Sequence, residues 1–439
     1  MGSGTVAIYC NRITPRIQYI FSTLLPAIGI ANFNFFSNKT AFNNASAVRI
    51  NYSTERQNLE EIFIRAGNLL FEDAVEEQVI QCFPFKETKA FFNTPDSDFP
   101  FDIFAASFYL ISRYEEYLPH KQDLYGRYAH ENCVAFKESF LKDPAVNIWL
   151  QYFLQVLQQK HPGLQCSREK FRFLPTYDID IAWSYLNKGL LRNTGGAIKS
   201  LLKGQWEMIR ERVQVLTGNQ QDPFDCYEWL NQLHGQHQLK PVYFFLVARQ
   251  NKDYDKNILP AKREMQQLIQ QHFSSYNAGI HPSWQSGNKP ELLQKEINLL
   301  ANISGHATQK SRQHYIRCNL PYTYRQLLQA GITEDYSMGY GSINGFRASY
   351  CLPYKWYDLM REETTSLTLF PFCFMDANSY YEQQYSCKQA LEEMNYYFET
   401  VKAVNGLLIT IWHNHFLGTD KKFAGWREVY KAAIEKMTA

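Results

Sequence analysis

The second part of the chain contains a series of short apolar runs, separated by long helix-forming stretches. The runs are Phe171–Tyr177, Val242–Val247, Ala278–Ile280, Leu367–Phe374 and Gly406–Trp412. Continuous apolar strands that alternate with helices are typical of a parallel sheet covered on both faces. Over about 270 residues, the natural closed form of such a sheet is a (β/α) barrel. The pattern therefore predicts an α/β fold with a barrel in this part of the chain.

The first part of the chain has a different pattern, which predicts a smaller, mixed α/β domain. Its predicted strands are Thr5–Cys10 and Ala47–Tyr52, and its predicted helices are Pro15–Leu25 and Phe101–Tyr117. Asp102 is placed to cap the first turn of the second helix, and Pro119 is expected to end it.

A charged stretch between the two parts, Gln158–Lys170, contains Pro162 and Gly163 and is interpreted as a linker. The predicted domains are therefore residues 1–165 and residues 166–439. The N-terminal domain taken alone suggests no chemistry.

Charge and cysteine content exclude several classes of protein. Lys and Arg number 45 and Asp and Glu 43, so the net charge of +2 calls for neither a nucleic acid nor an anionic membrane as partner. The basic, helix-prone segment Gly189–Gly218 is interpreted as a solvated surface insertion, with contact to an anionic ligand as the alternative. The nine Cys are scattered without a C-x-x-C pair, so a disulfide scaffold and a cysteine zinc site are not expected. Because the sequence has neither a run of about 18 apolar residues nor the order of a signal peptide, we expect a cytoplasmic protein without a membrane span.

Four of the predicted strands run directly into an acidic or imidazole side chain. Asp178 and Asp180 follow the first strand, His281 the third, Asp376 the fourth and His413 the last. In parallel α/β folds, reactive groups gather at the carboxyl ends of strands. We therefore expect these side chains to converge on one mouth of the barrel.

Asp178 and Asp180 are separated by one residue, so they share a face of a continuing strand. Two carboxylates held close together repel unless a cation or a proton lies between them. One can then bind a metal while the other acts as a base. The alternative is that one of them caps the next helix.

The imidazoles and one arginine extend this constellation. His281 precedes Pro282, which favours an extended backbone, and together with the aspartate pair it suggests a zinc-like metal site. Arg312 can hold a carboxylate in place, and its neighbour His314 is either a ligand or a packed imidazole. His413 is placed for proton transfer, with a structural core histidine as the alternative.

Weaker signals concern substrate contacts. The glycine-spaced loop 335–347 suits backbone contacts with a ligand, and it is not a phosphate-binding loop because it lacks the Lys-Ser/Thr that completes one. We expect substrate contacts from Trp284, Tyr340, Arg347 and Asp376, although a tryptophan at such a position is more often part of a core. The segment Asp222–Asp225 is expected to start a helix.

Taken in order, these residues resemble the motifs of the polysaccharide deacetylases, the family-4 carbohydrate esterases. The matching segments are Thr176–Asp180, Gly279–Ser283, Arg312 with its neighbours and Ile411–His413. The resemblance extends from about Phe171 to the C-terminus. The N-terminal part is similar to an uncharacterised domain that precedes such domains in some bacterial proteins, with Phe101–Arg127 as its most distinctive stretch.

The resemblance implies a distorted (β/α) barrel of seven strands and a metal-activated water that removes an acetyl group from a sugar or glycan. It implies Asp178 as the general base, Asp180 and His281 as metal ligands, His413 as the general acid and Arg312 as the residue that orients the base. The implied metal is zinc, with cobalt or nickel as alternatives.

Two departures from the family pattern leave alternatives open. Ile179 is inserted between the two acids, so either of them can be the metal ligand, and the expected second histidine of the next motif is Gln285. The third ligand is then missing, or supplied by His314, or by water. Two alternative functions follow: a catalytically inactive relative that binds carbohydrate, and a deacylase of a nucleotide-linked sugar.

Overall fold

The N-terminal part of the protein is built on a four-stranded parallel sheet in the computed structural model, which describes residues 5–45 and 47–438. The strands are β1 (Val6–Cys10), β2 (Phe33–Phe36), β3 (Val48–Ser53) and β4 (Ile62–Arg65), in the spatial order β2-β1-β3-β4, and a hairpin joins β5 (Phe83–Phe85) to β6 (Thr88–Ala90). The helices are α1 (Pro15–Ala27), α2 (Lys39–Asn43), α3 (Ile103–Ile111), α4 (Val134–Lys137) and α5 (Ala145–Lys160). Residues 1–4, on which the expectation about a signal peptide partly rests, lie outside the described residues.

Helix α1 follows directly from its sequence. Thr14 caps it by accepting a hydrogen bond from the Ile17 N–H at 3.1 Å, and Pro15 occupies the first helical position, where no hydrogen bond is lost. Phe21 on its buried face stacks on Phe104 of α3, with ring centroids 3.9 Å apart. This contact joins the two helices over one apolar core.

Helix α3 is shorter than the predicted helix Phe101–Tyr117. Asp102 caps it as expected and accepts a backbone N–H of the first turn at 2.9 Å. The helix ends at Ile111, because Arg113 adopts a left-handed conformation with φ of 57°. The residues that were expected to extend the helix form a separate 3-10 turn, Tyr114–Tyr117. The Arg113 guanidinium binds the Glu116 carboxylate of this turn at 2.8 Å.

The C-terminal part contains a nine-stranded sheet. Its strands are β7 (Arg172–Ile179), β8 (Val242–Leu246), β9 (Asn277–His281), β10 (Lys310–Ser311), β11 (Glu334–Asp335), β12 (Tyr354–Asp358), β13 (Glu363–Leu369), β14 (Phe374–Met375) and β15 (Leu407–His413). Their spatial order is β12-β13-β11-β10-β9-β8-β7-β15-β14, and all neighbours are parallel except β12 and β13. The helices are α6 (Leu190–Leu202), α7 (Trp206–Leu216), α8 (Tyr227–Gln236), α9 (Arg263–Ser275), α10 (Pro290–Ser304), α11 (Tyr322–Gln329), α12 (Cys387–Ala403), α13 (Asn414–Leu417) and α14 (Trp426–Thr438).

The strand pairing does not form a closed ring within the described residues, because β13 and β14 are not paired with each other. The four residues between them nevertheless contact both sides of the gap. The Phe370 N–H donates to the Asp335 carbonyl at 2.8 Å, and the Cys373 N–H donates to the Ile409 carbonyl at 3.3 Å. The single predicted strand Leu367–Phe374 is therefore two strands, which pair at different places in the sheet.

Most other local predictions agree with the structure. The remaining four predicted strands are present, within two residues at each end, as β7, β8, β9 and β15. Strands β10 and β11 were not predicted, since two residues carry no detectable period. The segment 189–218 forms α6 and α7, and residues 161–171 contain no helix or strand. None of the described helices combines the length and the apolar character that a membrane crossing requires.

The interpretation of Asp222–Asp225 as a helix start is wrong. Helix α8 begins only at Tyr227. The Asp222 carboxylate instead accepts backbone N–H groups of residues 184–186 at 2.7 to 3.0 Å. Asp222 therefore fixes the turn that leads from β7 to α6.

Candidate active site

The carboxyl ends of the parallel strands meet at a cavity of about 420 Å³. Five side chains that the sequence indicates line it: Asp178, Asp180, His281, His314 and His413. They lie at or just after the ends of β7, β9, β10 and β15. A wider groove of about 670 Å³ between α1 and β12 has no His, Cys or Asp in its lining, so the reactive side chains concentrate in the smaller cavity.

Asp180, His281 and His314 form a compact cluster of metal-ligand type, and their ligand atoms lie within 4.8 Å of one another. Oδ1 of Asp180 is 3.2 Å from Nε2 of His281, and Oδ2 is 3.7 Å from Nε2 of His314. Oδ1 of Asp180 is buried and accepts no hydrogen bond from the described residues. One carboxylate and two imidazoles are a ligand set that zinc and similar divalent metals take.

The second nitrogen of each imidazole is engaged away from the cluster. Nδ1 of His281 lies 2.6 Å from the backbone carbonyl of Arg312, which can only accept, so Nδ1 carries the proton and Nε2 is free to bind a metal. Nδ1 of His314 lies 2.8 Å from Oδ1 of Asp255. Partners of this kind orient the imidazole ligands of metal sites and raise their basicity.

Asp255 is a site residue that sequence reasoning missed. It is fully buried and lies nine residues after the end of β8, so it is not one of the side chains that directly follow a predicted strand. Besides His314, it accepts the Trp284 N–H at 2.8 Å and the Gln285 side-chain amide at 2.9 Å. Gln285 thus supports Asp255, which in turn holds His314. The second imidazole beside Asp180 is therefore that of His314, and position 285 does not supply it.

Charge in the cluster is balanced by its own members. Burial alone would raise the pKa of Asp180, but His314 and His281 hold it well below its ordinary value. Burial would lower the pKa of His314, whereas Asp180 and Asp255 raise it to about 9. The protonated His314 imidazole therefore balances carboxylate charge in the cluster, and a divalent cation can take the place of its proton.

Asp178 is held by a buried arginine. Oδ1 of Asp178 accepts a hydrogen bond from Nη1 of Arg312 at 2.9 Å, while its Oδ2 lies 3.9 Å from Nε2 of His281. Arg312 is itself fixed, because its guanidinium also donates to the Thr176 hydroxyl at 2.7 Å and to the Tyr336 carbonyl at 3.0 Å. The carboxylate therefore has one oxygen anchored and the other close to the cluster.

His413 is held by a buried carboxylate on its far side. Nδ1 of His413 is 2.6 Å from Oδ1 of Asp376, and the His413 backbone N–H donates to Oδ2 at 2.7 Å. Burial alone would lower the pKa of His413, but Asp376 raises it to about 10. Nε2 of His413 lies 3.7 Å from Asp180. The expectation that Asp376 contacts a substrate is corrected, since this fully buried side chain does not line the cavity.

The other three predicted substrate contacts are not part of the cavity lining. Arg347 is buried and binds both oxygens of Glu116, at 2.8 and 2.6 Å. Tyr340 accepts a hydrogen bond from the buried guanidinium of Arg113 at 3.3 Å. The Trp284 ring lies under the guanidinium of Arg317 at 4.2 Å. Hydrogen bonds and ion pairs engage the polar groups of Arg347 and Tyr340, and the Trp284 ring is packed against Arg317, so none of the three is directed into the cavity.

Aromatic side chains that the sequence did not indicate line the cavity instead. The rings of Tyr125, Tyr254 and Tyr315 lie 5.0 to 5.2 Å from one another. Arg127 donates to the Tyr315 carbonyl at 2.7 Å. Tyr125 and Arg127 belong to the N-terminal part of the chain, so both parts contribute to the cavity.

Comparison with known proteins gives a family match for the N-terminal part. A family of unknown function (DUF7033) matches residues 6–162, which is less than half of the chain. A search of curated proteins finds no match.

The chain is also distantly similar to solved structures. A Mycobacterium smegmatis protein assigned as a polysaccharide deacetylase has 12% identity and a TM-score of 0.40, over 62% of this chain and 85% of the other. A polysaccharide deacetylase from Bacillus cereus has 11% identity and a TM-score of 0.32, over 61% and 88%. A Pseudomonas aeruginosa protein assigned to the same activity has 10% identity and a TM-score of 0.39, over 61% and 84%. Scores of this size carry no conclusion about activity, which has to be argued from the geometry of the cavity.

Proposed function

We propose that the cavity hydrolyses an acetyl group, or a similar acyl group, from an amino sugar or glycan with the help of a divalent metal ion. The observation that carries the proposal is the position of two proton-transfer groups beside one ligand cluster. An oxygen of Asp178 lies 3.9 Å from Nε2 of His281, and Nε2 of His413 lies 3.7 Å from Asp180. A base and an acid next to metal ligands are the groups that metal-assisted hydrolysis of an amide or ester needs.

Asp180, His281 and His314 are the residues that would hold the metal. The buried Oδ1 of Asp180, which lacks a hydrogen-bond donor among the described residues, fits this assignment. Zinc suits this ligand set, with cobalt or nickel as alternatives. When bound, such a metal polarises a carbonyl group and lowers the pKa of a water molecule.

Asp178 is the proposed general base. Its Oδ2 takes a proton from the attacking water while the new C–O bond forms at the acyl carbon. The hydrogen bond from Arg312 to Oδ1 keeps the carboxylate from rotating away from the cluster. Arg312 therefore acts through Asp178 and does not itself need to touch the substrate.

His413 is the proposed general acid. Because Asp376 holds Nδ1, the proton on Nε2 is directed into the cavity. Nε2 gives this proton to the leaving nitrogen or oxygen as the C–N or C–O bond breaks. The products are acetate and a free amine or hydroxyl group on the sugar.

The aromatic wall supports a sugar as the substrate. The rings of Tyr125, Tyr254 and Tyr315 offer apolar faces next to polar groups, which suits the mixed surface of a carbohydrate. The main reason to consider a catalytically inactive relative is that position 285 is a glutamine where a third metal ligand was expected. His314 supplies an imidazole beside Asp180, which weakens that reason.

We also propose that the larger sheet is a distorted barrel of the deacetylase type. The support is the pair of hydrogen bonds by which Phe370 and Cys373 reach Asp335 and Ile409 across the gap between β13 and β14. The predicted domain limits, residues 1–165 and 166–439, belong to the same proposal.

Metal content and acetate release test the proposed function together. Purified wild type and His281→Ala are analysed for metals after reconstitution with zinc, and both are assayed for acetate from N-acetylglucosamine oligomers and from O-acetylated sugars. We expect about one zinc per chain and acetate release in wild type, with both lost in His281→Ala. His306→Ala, which changes an exposed histidine outside the cavity, serves as the matched control.

Each other outcome decides between the alternatives. Absence of metal in the reconstituted wild type overturns the hydrolase and favours a carbohydrate-binding relative. If zinc is bound and acetate is released only from a nucleotide-linked acetyl sugar, the substrate is a nucleotide-linked sugar and not a glycan.

A further inference from the structure

Helices α6 and α7 form a hairpin, called here the α6–α7 hairpin (residues 190–216), whose surface differs from the rest of the protein. Nine of the seventeen large hydrophobic side chains that are exposed in the described chain lie on it. Leu191 is 88% exposed, Leu202 82% and Trp206 65%. Isolated exposed hydrophobic residues are ordinary, whereas a large exposed apolar patch marks an interaction surface.

The exposed apolar residues of α6 lie on one face. At 100° per residue, Leu190, Leu191, Ile198, Leu201 and Leu202 fall within an arc of about 120°. All five are exposed, whereas the polar residues Asn193 and Ser200 of the same helix are buried. The helix is therefore inverted relative to an ordinary surface helix, because its apolar face points to solvent.

The hairpin is a formed structure with a defined inner contact. The Arg212 guanidinium donates to the Asn193 carbonyl at 2.6 Å, which ties α7 to α6. A side chain at Gly196 would collide with the same guanidinium. The outward apolar face therefore belongs to a helix that is held on its inner side by α7.

Free charge on the hairpin is positive. Lys199 follows Ile198 and Lys203 follows Leu202 in the sequence, and both are exposed, as is Arg210 of α7. Residues 190–216 contain five Arg and Lys but only two Glu. Of these two acids, Glu207 pairs with Lys421 at 2.7 Å and Glu211 accepts the Tyr185 hydroxyl at 2.8 Å. The chain carries a net charge of only +2, so this cationic surface is local.

We propose that the α6–α7 hairpin docks the protein on the surface of an anionic phospholipid bilayer. Exposed leucines and a tryptophan bordered by lysine and arginine fit the boundary between acyl chains and acidic headgroups. A second copy of the chain placed face to face would bring the cations of both copies together, which opposes that arrangement.

The hairpin lies next to the catalytic edge of the sheet. It is inserted between β7, which ends at Asp178 and Ile179, and helix α8. Arg192 of α6 donates at 3.0 Å to the carbonyl of Asn257, in the loop that carries Asp255. Docking on a bilayer would therefore bring the cavity close to glycans held at that membrane, although the docking itself does not depend on the hydrolase.

Vesicle co-sedimentation tests the docking surface. Full-length wild type is mixed with vesicles of phosphatidylcholine alone and with vesicles that contain phosphatidylglycerol. We expect binding to the anionic vesicles and little to the neutral ones. Leu191→Glu/Leu202→Glu should weaken this binding at least about tenfold, and Lys199→Glu/Lys203→Glu/Arg210→Glu roughly 100-fold.

The matched control is Leu59→Glu/Leu124→Glu, which changes two leucines that are 82% and 79% exposed outside the hairpin. This control should bind like wild type, and all variants should keep the wild-type melting temperature. Equal sedimentation of wild type with neutral and anionic vesicles, or with neither, overturns the proposal. Size-exclusion chromatography tests whether a second copy of the chain binds the hairpin instead. A wild-type dimer that becomes monomeric in Leu191→Glu/Leu202→Glu would assign the surface to that second copy and overturn the proposal.

Discussion

Oδ1 of Asp255 lies 2.8 Å from Nδ1 of His314, and this contact directs the other ring nitrogen of His314 toward Asp180. The same carboxylate accepts the backbone N–H of Trp284 and the side-chain amide of Gln285. Asp255 therefore links the 281–285 segment to His314, the second imidazole of the cluster. This arrangement explains how the proposed metal site is complete without a histidine at position 285.

Replacement of Asp255 should weaken metal binding without unfolding the protein. Asp255→Asn keeps an oxygen acceptor for His314 but loses the negative charge, and changes of this kind cost about 10- to 100-fold in metal affinity. Zinc affinity is measured by competition with a chromophoric chelator. Asp253→Asn, two residues away and exposed, is the control and should bind zinc like wild type. An unchanged affinity in Asp255→Asn would mean that Asp255 does not act on the metal site.

The source of the third ligand can be tested by two substitutions. His314→Ala should lose stoichiometric zinc, because it removes an imidazole whose Nε2 is 3.7 Å from Asp180. Gln285→Ala should retain zinc, because the Gln285 amide donates to Asp255. Elemental analysis after dialysis compares the two variants. Zinc loss from Gln285→Ala together with zinc retention in His314→Ala would reverse the assignment.

The proposed acid and base should affect turnover more than binding. Asp178→Asn and His413→Ala are each expected to lower kcat about 100-fold or more, since each removes one proton-transfer group. KM and zinc content should remain close to wild type, because neither residue belongs to the proposed ligand set. Steady-state acetate release and metal analysis supply these values. Wild-type kcat in either variant would remove that residue from the mechanism.

Asp376 should act through His413, which makes it a positioning residue. Asp376→Asn leaves the volume unchanged but removes the carboxylate that holds Nδ1 of His413. We expect a fall in kcat of about 10- to 100-fold with KM near the wild-type value. The pH profile of kcat should also shift, which a loss of general stability alone would not cause. The double variant Asp376→Asn/His413→Ala should have a kcat only slightly below that of His413→Ala alone.

Low pH should destabilise the protein partly because Glu116 becomes protonated. Its two carboxylate oxygens lie 2.8 Å from the Arg113 guanidinium and 2.6 Å from the Arg347 guanidinium. Burial alone would raise the pKa of Glu116, but the two guanidinium groups lower it from 4.5 to about 2. Between these values the unfolded state binds more protons than the folded state, so stability falls as the pH falls. The contribution is about 3 kcal/mol, complete above pH 4.5 and lost toward pH 2.

Urea unfolding of wild type and Glu116→Gln between pH 7 and pH 3 measures this contribution. The variant should be less stable at pH 7, because two buried arginines lose their partner, and its stability should change less below pH 4.5. Glu77→Gln, at an exposed position, is the control and should follow wild type. Identical pH dependence of Glu116→Gln and wild type would contradict the assignment of the acid effect to Glu116.

The pattern of apolar runs predicts much of the fold because each run is a local property of a few consecutive residues. Strands β7, β8, β9 and β15 are found close to their predicted positions. Among the strands that escape prediction, β10 and β11 have two residues each, so only their neighbours in the sheet define them. The longer strands β2, β4 and β12 were not predicted either. The end of α3 at Ile111 was also not predicted from the sequence. Glu116, just after this end, pairs with Arg113 and with Arg347, and Arg347 lies 231 residues further along the chain.

The amino-acid pattern alone is enough to predict a parallel α/β core and to place Asp178, Asp180, His281 and His413 at the carboxyl ends of its strands. Both follow from hydrophobic periodicity, which needs no information about distant residues. Three other features could not be predicted in this way: Asp255 supports His314, Arg347 is buried against Glu116, and the leucines of α6 point to solvent. Those relationships join residues far apart in the chain, so they depend on which loops and surfaces meet when the sheet is assembled.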